Sequence, residues 1–250
     1  MRLKEKIKDR ILPAARKHRV TDVRIGLGYT AVGLDVGTVG VAYTFISPVK
    51  RSCNVFNWLR PLAGRQASEL LSGLDSADDI ETAVAMATVN ALAPLENKPF
   101  STGDMLKELT LYPHDCVGVV GNFAPILPRL KKRCASVKVF ERIDFAKGGL
   151  LPYTDIPELI PECQVAVITS TAIINNTVDA VLEAAAGCRE VVMLGASTPM
   201  IPDAFTDTPV TLLSGVKATH PETVLQVVSE GGGMRSFGKY IQKVNISVER

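Results

Sequence analysis

The amino-acid sequence predicts an α/β protein in which a smaller α+β domain precedes a domain built on a parallel, doubly wound sheet. From Cys116 onwards, short apolar runs alternate with helical patterns, an arrangement typical of strands joined by crossover helices. Before residue 96, three strand-like runs follow one another too closely for parallel crossovers, which need a dozen or more residues. We therefore expect two domains, residues 1–95 and residues 96–250.

The first domain is predicted as a helix, an antiparallel meander and two further helices. Gly28 and Gly37 lie at the breaks between the strand-like runs, where turn residues are expected. The predicted elements are a helix at 3–17, strands at 23–27, 31–35 and 39–45, and helices at 67–71 and 80–92.

The second domain is predicted as alternating strands and helices, with a last strand-like segment after the glycines at 231–233. The predicted strands are 116–120, 137–140, 165–168, 191–194, 210–213 and 240–248, and the predicted helices are 125–133, 156–160, 178–185 and 222–229.

Composition excludes several classes of protein. The formal net charge of +2 argues against a dedicated nucleic-acid binder, which carries a concentrated basic face. No run approaches the roughly 20 apolar residues of a membrane span, and no signal-peptide pattern is present. The five cysteines are scattered without a C-x-x-C pair, which favours a reducing compartment over a disulfide framework. We expect a cytoplasmic protein with no nucleic-acid or membrane partner. The sequence leaves open whether the protein forms a homo-oligomer.

Polar residues follow three of the predicted parallel strands at the point where each strand ends. The loop TSTAIINNT follows strand 165–168, GASTPMIP follows strand 191–194, and GNFAP follows strand 116–120. Because parallel strands end at the same edge of a sheet, and open α/β sheets bind ligands at that edge, we expect a binding site there. The candidate ligand-binding residues are Gly121, Asn122, Glu141, Thr169, Ser170, Thr171, Asn175, Thr177, Gly195, Ser197 and Thr198.

Several of these residues have an alternative, purely structural interpretation. Asn122 is placed to cap a helix after Gly121, and Asn175 or Asn176 to cap the helix that starts at Thr177. Glu141 ends the second strand, where an acidic residue accepts ribose hydroxyls in nucleotide-binding sheets. The G-x-G-x-x-G fingerprint is absent, however, so the dinucleotide interpretation lacks its main support.

The segments ITSTAIINNTVDAVL, VVMLGASTPMIP and VVGNFAP resemble the C-terminal Rossmann-like domain of a heavy-metal-chelation family that was first described as a domain of unknown function. The segment GYTAVGLDVGTVGVAYTF resembles the companion N-terminal domain of that family, which has the fold of the enolase N-terminal domain. The resemblance implies a site in the cleft between the domains and a role in heavy-metal chelation or in handling a metal-chelating metabolite. Ser170 and Asn176 occupy positions where relatives often have glycine. Their side chains are expected to narrow the pocket or to add hydrogen-bond donors.

Three functional hypotheses follow from these residues. A binding protein would hold a small anionic metabolite or a metal chelate, since hydroxyls, amides and backbone N–H groups suit oxyanions. An enzyme would need titratable groups, which these loops largely lack. A nucleotide-dependent oxidoreductase or transferase would use Gly121 and Glu141 to bind its cofactor. The sequence does not identify a cofactor. The loops provide too few carboxylates, imidazoles or thiolates to bind a metal directly, so we expect any metal to arrive already chelated.

Overall fold

The computed structural model describes residues 1–45, 55–56, 59–93, 95 and 99–249, and these residues form two sheets with helices packed around them. The predicted fold class is confirmed: a small antiparallel sheet comes first in the chain, and a larger, mainly parallel sheet follows. The first unit consists of α1 (Leu3–Ala15), β1 (Val20–Ile25), β2 (Tyr29–Leu34), β3 (Val39–Tyr43), α2 (Ala67–Leu70) and α3 (Asp79–Leu92).

The helix α3 packs against the small sheet along a stripe of small side chains. Asp78 caps its first turn by accepting hydrogen bonds from the backbone N–H groups of Ile80 (2.8 Å) and Glu81 (3.2 Å). Strand β3 approaches the helix so closely that a Cβ at Gly40 would lie 2.1 Å from the carbonyl oxygen of Ala87. The glycine therefore fixes the distance between β3 and α3.

The larger sheet has eight strands among the described residues, in the order β4-β11-β10-β9-β8-β5-β6-β7. The six strands from β10 to β7 are parallel, whereas β11 pairs antiparallel with both β10 and β4. Its strands are β4 (Ser101–Thr102), β5 (Cys116–Val120), β6 (Ser136–Glu141), β7 (Leu150–Pro152), β8 (Val165–Thr169), β9 (Glu190–Leu194), β10 (Leu212–Ala218) and β11 (Ile241–Ser247). Its helices are α4 (Leu127–Leu130), α5 (Ile156–Leu159), α6 (Thr171–Ile174), α7 (Val178–Ala184), α8 (Pro221–Ser229) and α9 (Met234–Phe237).

The strand order reverses between β5 and β8. From β5 the chain proceeds to β6 and β7 on one side, then returns to place β8, β9 and β10 on the other side. The connections that leave β5 and β8 therefore diverge, and a crevice opens at their carboxyl ends, the position at which open α/β sheets bind ligands.

Four sequence predictions need correction in this unit. Strand β10 lies at Leu212–Ala218 rather than at 210–213, because its ladder with β11 continues to Ala218. Helix α4 covers only Leu127–Leu130 of the predicted 125–133. The loop after β8 contains the helical turn α6, whose residues Ala172, Ile173 and Ile174 are buried in the core. The short strands β4 and β7 were not predicted, since two or three residues carry no periodic signal.

The two sheets share a hydrophobic core through helix α8. Val224, Leu225 and Val228 of this helix pack with Ala31 and Val41 of the small sheet. No helix among the described residues is both long enough and apolar enough to cross a membrane.

A Gly40→Ala substitution should lower the free energy of unfolding by at least about 1–3 kcal/mol, because the new methyl group overlaps the α3 backbone. Gly28→Ala is the matched control, since nothing lies within 4 Å of a Cβ at that position. Its effect should stay within about 1 kcal/mol. Urea unfolding of both variants measures the difference, and equal midpoints would contradict the close packing of β3 on α3.

Candidate ligand-binding site

A cavity of about 230 Å³ occupies the crevice at the carboxyl ends of β5 and β8. It lies between the small sheet and the large one, because residues from both contribute to its wall. The lining residues are Tyr43, Phe45, Val120, Gly121, Asn122, Phe123, Phe140, Glu141, Arg142, Tyr153, Thr169, Thr171, Ala172, Asn175 and Thr177.

Hydroxyl groups and a glycine form the part of the wall nearest the strand ends. The hydroxyl oxygens of Thr169 and Thr171 are hydrogen-bonded at 2.8 Å, and both side chains are half-buried. Gly121 has a φ of +97°, and a Cβ there would lie 3.1 Å from the Cβ of Thr169. Glycine thus permits a backbone turn that brings the end of β5 against the threonine pair.

The asparagine pair after α6 terminates that helix instead of starting the next one. Asn176 has a φ of +61°, a left-handed conformation that asparagine tolerates, and the N–H of Thr177 donates to the carbonyl oxygen of Ala172 at 2.9 Å. The prediction that Asn175 or Asn176 caps the following helix is therefore wrong. Helix α7 begins at Val178 with Thr177 as its cap residue, and no side chain there makes a capping hydrogen bond.

Asn175 holds Arg142 at the cavity. The carbonyl oxygen of Ala172 only accepts hydrogen bonds, so the Asn175 amide nitrogen faces it at 3.1 Å and also donates to the Thr177 hydroxyl at 2.6 Å. In this orientation the Asn175 side-chain oxygen accepts a hydrogen bond from Nη2 of Arg142 at 3.1 Å. One face of the guanidinium lies over the Phe45 ring, 6.0 Å from its centroid, within the range of a cation–π interaction.

The carboxylate of Glu141, the residue before Arg142, accepts hydrogen bonds from two backbone N–H groups. One oxygen accepts from the N–H of Asn122 at 3.0 Å, and the other accepts from the N–H of Arg142 at 2.9 Å. The carboxylate thereby takes the backbone donor that an anion would use after Gly121. The prediction that Asn122 caps a helix is wrong, because the cap position of α4 is Ile126.

Aromatic side chains close the opposite side of the cavity. Tyr43 and Phe45 extend from the end of β3, with ring centroids 5.0 Å apart in an edge-to-face arrangement. Tyr43 also packs edge-to-face on Tyr29 at 5.7 Å, and burial raises the pKa of the Tyr29 hydroxyl to about 12. The Tyr153 hydroxyl donates to the carbonyl oxygen of Thr177 at 3.4 Å. The cavity therefore combines an apolar, aromatic wall with a polar wall that bears one guanidinium.

The structure brings seven of the predicted site residues to this cavity: Gly121, Asn122, Glu141, Thr169, Thr171, Asn175 and Thr177. The other four, Ser170, Gly195, Ser197 and Thr198, lie outside its lining. The Ser197 hydroxyl accepts from the N–H of Tyr43 at 2.8 Å, and the Thr198 hydroxyl donates to the carbonyl oxygen of Ser214 at 2.9 Å. These two side chains, which are buried, join the loop after β9 to the small sheet and to β10.

The lining residues that the sequence does not place in the site are mainly the aromatic ones. Tyr43 and Phe45 end a strand of the first domain, and only the packing of the two sheets brings them to β5 and β8. The turn at Gly37 and Thr38, together with Asn90, lines a separate cavity. The Asn90 amide donates to the carbonyl oxygens of Val41 (2.9 Å) and Ala196 (3.3 Å).

Direct coordination of a metal by the residues that line this cavity has little support. The described residues contain no group of three or more histidine, cysteine, aspartate or glutamate side chains arranged to hold a metal ion. His114, two residues before Cys116 in the sequence, stacks on Tyr112 with ring centroids 5.6 Å apart.

Comparison with known proteins places these features in a family. Two sequence profiles, both described as "Putative heavy-metal chelation", match residues 104–247 and residues 8–93. The chain is similar to an uncharacterized protein of Methanocaldococcus jannaschii, with 24% identity over 98% of this chain and 98% of that protein.

Two crystal structures of proteins with unknown function from the same family are similar to this chain. The one from Pyrococcus horikoshii has a TM-score of 0.86 and 24% identity, covering 99% of this chain and 100% of that chain. The one from Desulfitobacterium hafniense has a TM-score of 0.81 and 20% identity, covering 98% of each chain. At these identities the likeness establishes the fold alone.

Ser197→Ala should lower the free energy of unfolding by about 1–3 kcal/mol, because the N–H of Tyr43 loses its acceptor. Thr171→Val should cost less than about 1 kcal/mol, since Thr171 and its partner Thr169 are both half-buried and the Thr169 hydroxyl can turn to solvent. Chemical denaturation measures both values. A larger loss in Thr171→Val than in Ser197→Ala would contradict this division between cavity-facing and structural hydroxyls.

Proposed function

This chain belongs to the heavy-metal-chelation family. On that premise we propose that it binds a small anionic organic molecule able to chelate a metal, in the cavity at the carboxyl ends of β5 and β8. The observation that carries the proposal is the guanidinium of Arg142, which Asn175 holds at the point where the strand order reverses.

The charge of the lining favours an anion. Its charged side chains are Glu141 and Arg142, and both Glu141 oxygens accept backbone hydrogen bonds. Arg142 has five donors in a planar fork that matches a carboxylate or phosphate, and its hydrogen bond to Asn175 uses one of them. The ligand's anionic group is therefore expected beside Arg142, with the hydroxyls of Thr169 and Thr171 as further donors.

The size and polarity of the cavity favour a metabolite-sized ligand with an apolar part. Its volume of about 230 Å³ is below the ~300–1,000 Å³ typical of sites for drug-sized ligands. Tyr43, Phe45 and Phe123 supply apolar surface to the lining. A compact carboxylate or phosphate with a flat or aliphatic body meets both requirements.

The chemistry of the lining also favours a metal that arrives bound to its ligand. Hydroxyl and amide groups dominate the polar wall, whereas divalent metals in proteins are held by carboxylates, imidazoles or thiolates. The Glu141 carboxylate, which would be a ligand by its chemistry, is engaged with two backbone N–H groups. In this proposal the organic molecule supplies the metal's ligands, and the protein recognises the anionic periphery of the chelate.

Binding without turnover is the simpler form of the proposal. General acid–base catalysis needs a titratable group free to exchange a proton with the substrate, and Glu141 is held by its amide contacts. The same contacts weigh against the nucleotide alternative, because Glu141 occupies the donor after Gly121 that a phosphate would use.

Isothermal titration calorimetry with nitrilotriacetate, its Ni²⁺ complex, citrate and Ni²⁺ alone tests the proposal. The carboxylate-bearing probes should bind to the wild-type protein, and Ni²⁺ alone should bind at least tenfold more weakly than its nitrilotriacetate complex. Arg142→Gln should weaken probe binding by about 10- to 100-fold, the loss expected for a charged hydrogen bond. Thr171→Val and Asn175→Ala should also lose binding while keeping a cooperative unfolding transition.

Lys147→Gln is the matched control, because it removes an exposed positive charge from the loop between β6 and β7 without touching the cavity lining. Equal probe affinity in wild type and Arg142→Gln would overturn the assignment of the site. Failure of every carboxylate probe to bind the wild-type protein would overturn the proposed ligand class.

A further inference from the structure

Two sulfur atoms lie in contact at the opposite end of the same strands. Sγ of Cys116, the first residue of β5, is 3.3 Å from Sγ of Cys163, which lies just before β8. Gln164 joins the two segments: its N–H donates to the carbonyl oxygen of Cys116 at 3.0 Å, and its side-chain oxygen accepts from the N–H of Cys116 at 2.8 Å. The backbone thus fixes the positions from which both thiols extend.

A glycine makes room for this contact. Gly118 follows Cys116 by two residues and so faces the same side of the sheet. A Cβ at Gly118 would lie 3.3 Å from Sγ of Cys163 and 2.4 Å from Cδ1 of Ile160. The segment after α5 can therefore pack on β5, which brings Cys163 into contact with Cys116.

The surroundings of the pair favour the protonated form of Cys163 and leave Cys116 accessible. Cys163 is 2% exposed, whereas Cys116 is only partly buried and gives access from the surface. Burial raises the pKa of the Cys163 thiol, and the hydrogen bond with Cys116 raises it further. The nearby Lys138 ammonium acts in the opposite direction on this pKa, but it is paired with Glu162. A lone thiolate at Cys163 is thus disfavoured.

We propose that Cys116 and Cys163 form a two-thiolate site for a soft, thiophilic metal or metalloid centre, distinct from the cavity at the carboxyl ends of the strands. Binding of a divalent ion is balanced as M²⁺ + 2 RSH → M(SR)₂ + 2 H⁺, and the product carries no net charge. Burial disfavours the charged thiolate but not this neutral complex. Thiolates are the protein ligands that soft metals select.

The geometry needs only a small adjustment. Two thiolates at a metal–sulfur distance of about 2.3 Å in a tetrahedral arrangement lie about 3.8 Å apart. The observed separation is 3.3 Å, so a rotation of the partly exposed Cys116 side chain suffices. Since the described residues contain no group of three such ligands, the remaining positions on the metal would be open or taken by an outside ligand.

This site is independent of the proposed function. The length of β5, five residues, separates the thiol pair from the cavity by roughly 13 Å along the strand. Loss of either site leaves the other testable, because Arg142 and Asn175 take no part in the thiol pair.

Phenylarsine oxide is the first probe, because its arsenic takes two thiols at once: R–As=O + 2 R′SH → R–As(SR′)₂ + H₂O. The reduced wild-type protein should bind one equivalent, seen by intact mass, and should lose two thiols that react with iodoacetamide after denaturation. Cys116→Ser and Cys163→Ser should each lose this adduct at one equivalent of reagent. Cys134→Ser should keep it, since the Cys134 thiol donates to the carbonyl oxygen of Leu130 and is not in the pair.

Peptide mapping of the wild-type protein keeps the test valid if a serine variant fails to fold. Protection of the Cys116 and Cys163 peptides from alkylation supports the site, and protection of any other cysteine pair, or of none, overturns it. Native mass spectrometry with Cd²⁺ then separates the two sources of this chemistry. If the wild-type protein binds one Cd²⁺ and both serine variants bind none, the site binds metal ions. If the protein forms an adduct with the arsenical but does not bind Cd²⁺, the site is restricted to metalloids.

Discussion

The reversal of strand order between β5 and β8 sets the position of the other features of this molecule. Parallel strands bring their carboxyl ends to one edge, and the diverging connections leave a crevice there that neither neighbouring strand can fill. Tyr43 and Phe45, at the end of β3, cover this crevice. The Ser197 hydroxyl accepts a hydrogen bond from the N–H of Tyr43 and so links the small sheet to the loop after β9. The first unit therefore forms one wall of the site.

The two charged side chains that line the cavity, Glu141 and Arg142, have different partners. Glu141 is a carboxylate at a strand end, and it is satisfied by two backbone N–H groups instead of by Arg142. Arg142 is thereby left to Asn175 and to the face of Phe45. Had the two charged side chains paired with each other, the cavity would have offered hydroxyls and an amide but no cation. The local backbone after Gly121 thus determines which charge is available to a ligand.

The sequence predicts a site at the edge of the sheet where the structure has a cavity, but it does not predict every side chain that lines this cavity. The alternation of apolar runs and helical patterns is a local signal, so β8, α7 and β9 were predicted within about one residue of their bounds. The roles of Tyr43, Arg142 and Cys163 depend on partners that are distant in the chain, and no local pattern encodes them. Ser197 and Thr198 resemble Thr169 and Thr171 in composition, yet they face inward. The inward pair differs because each side chain has a backbone hydrogen-bond partner in another element: Ser197 pairs with Tyr43, and Thr198 pairs with Ser214.

Anomalous diffraction from crystals grown with the Ni²⁺ complex of nitrilotriacetate would show whether the cavity holds a metal chelate, because it locates the metal without prior assumptions about its ligands. We expect a nickel peak within the cavity at the carboxyl ends of β5 and β8, with chelate carboxylates against Arg142 and no protein atom in the metal's coordination sphere. Nickel coordinated directly by protein side chains in the cavity, or a cavity that contains no chelate, would contradict this expectation.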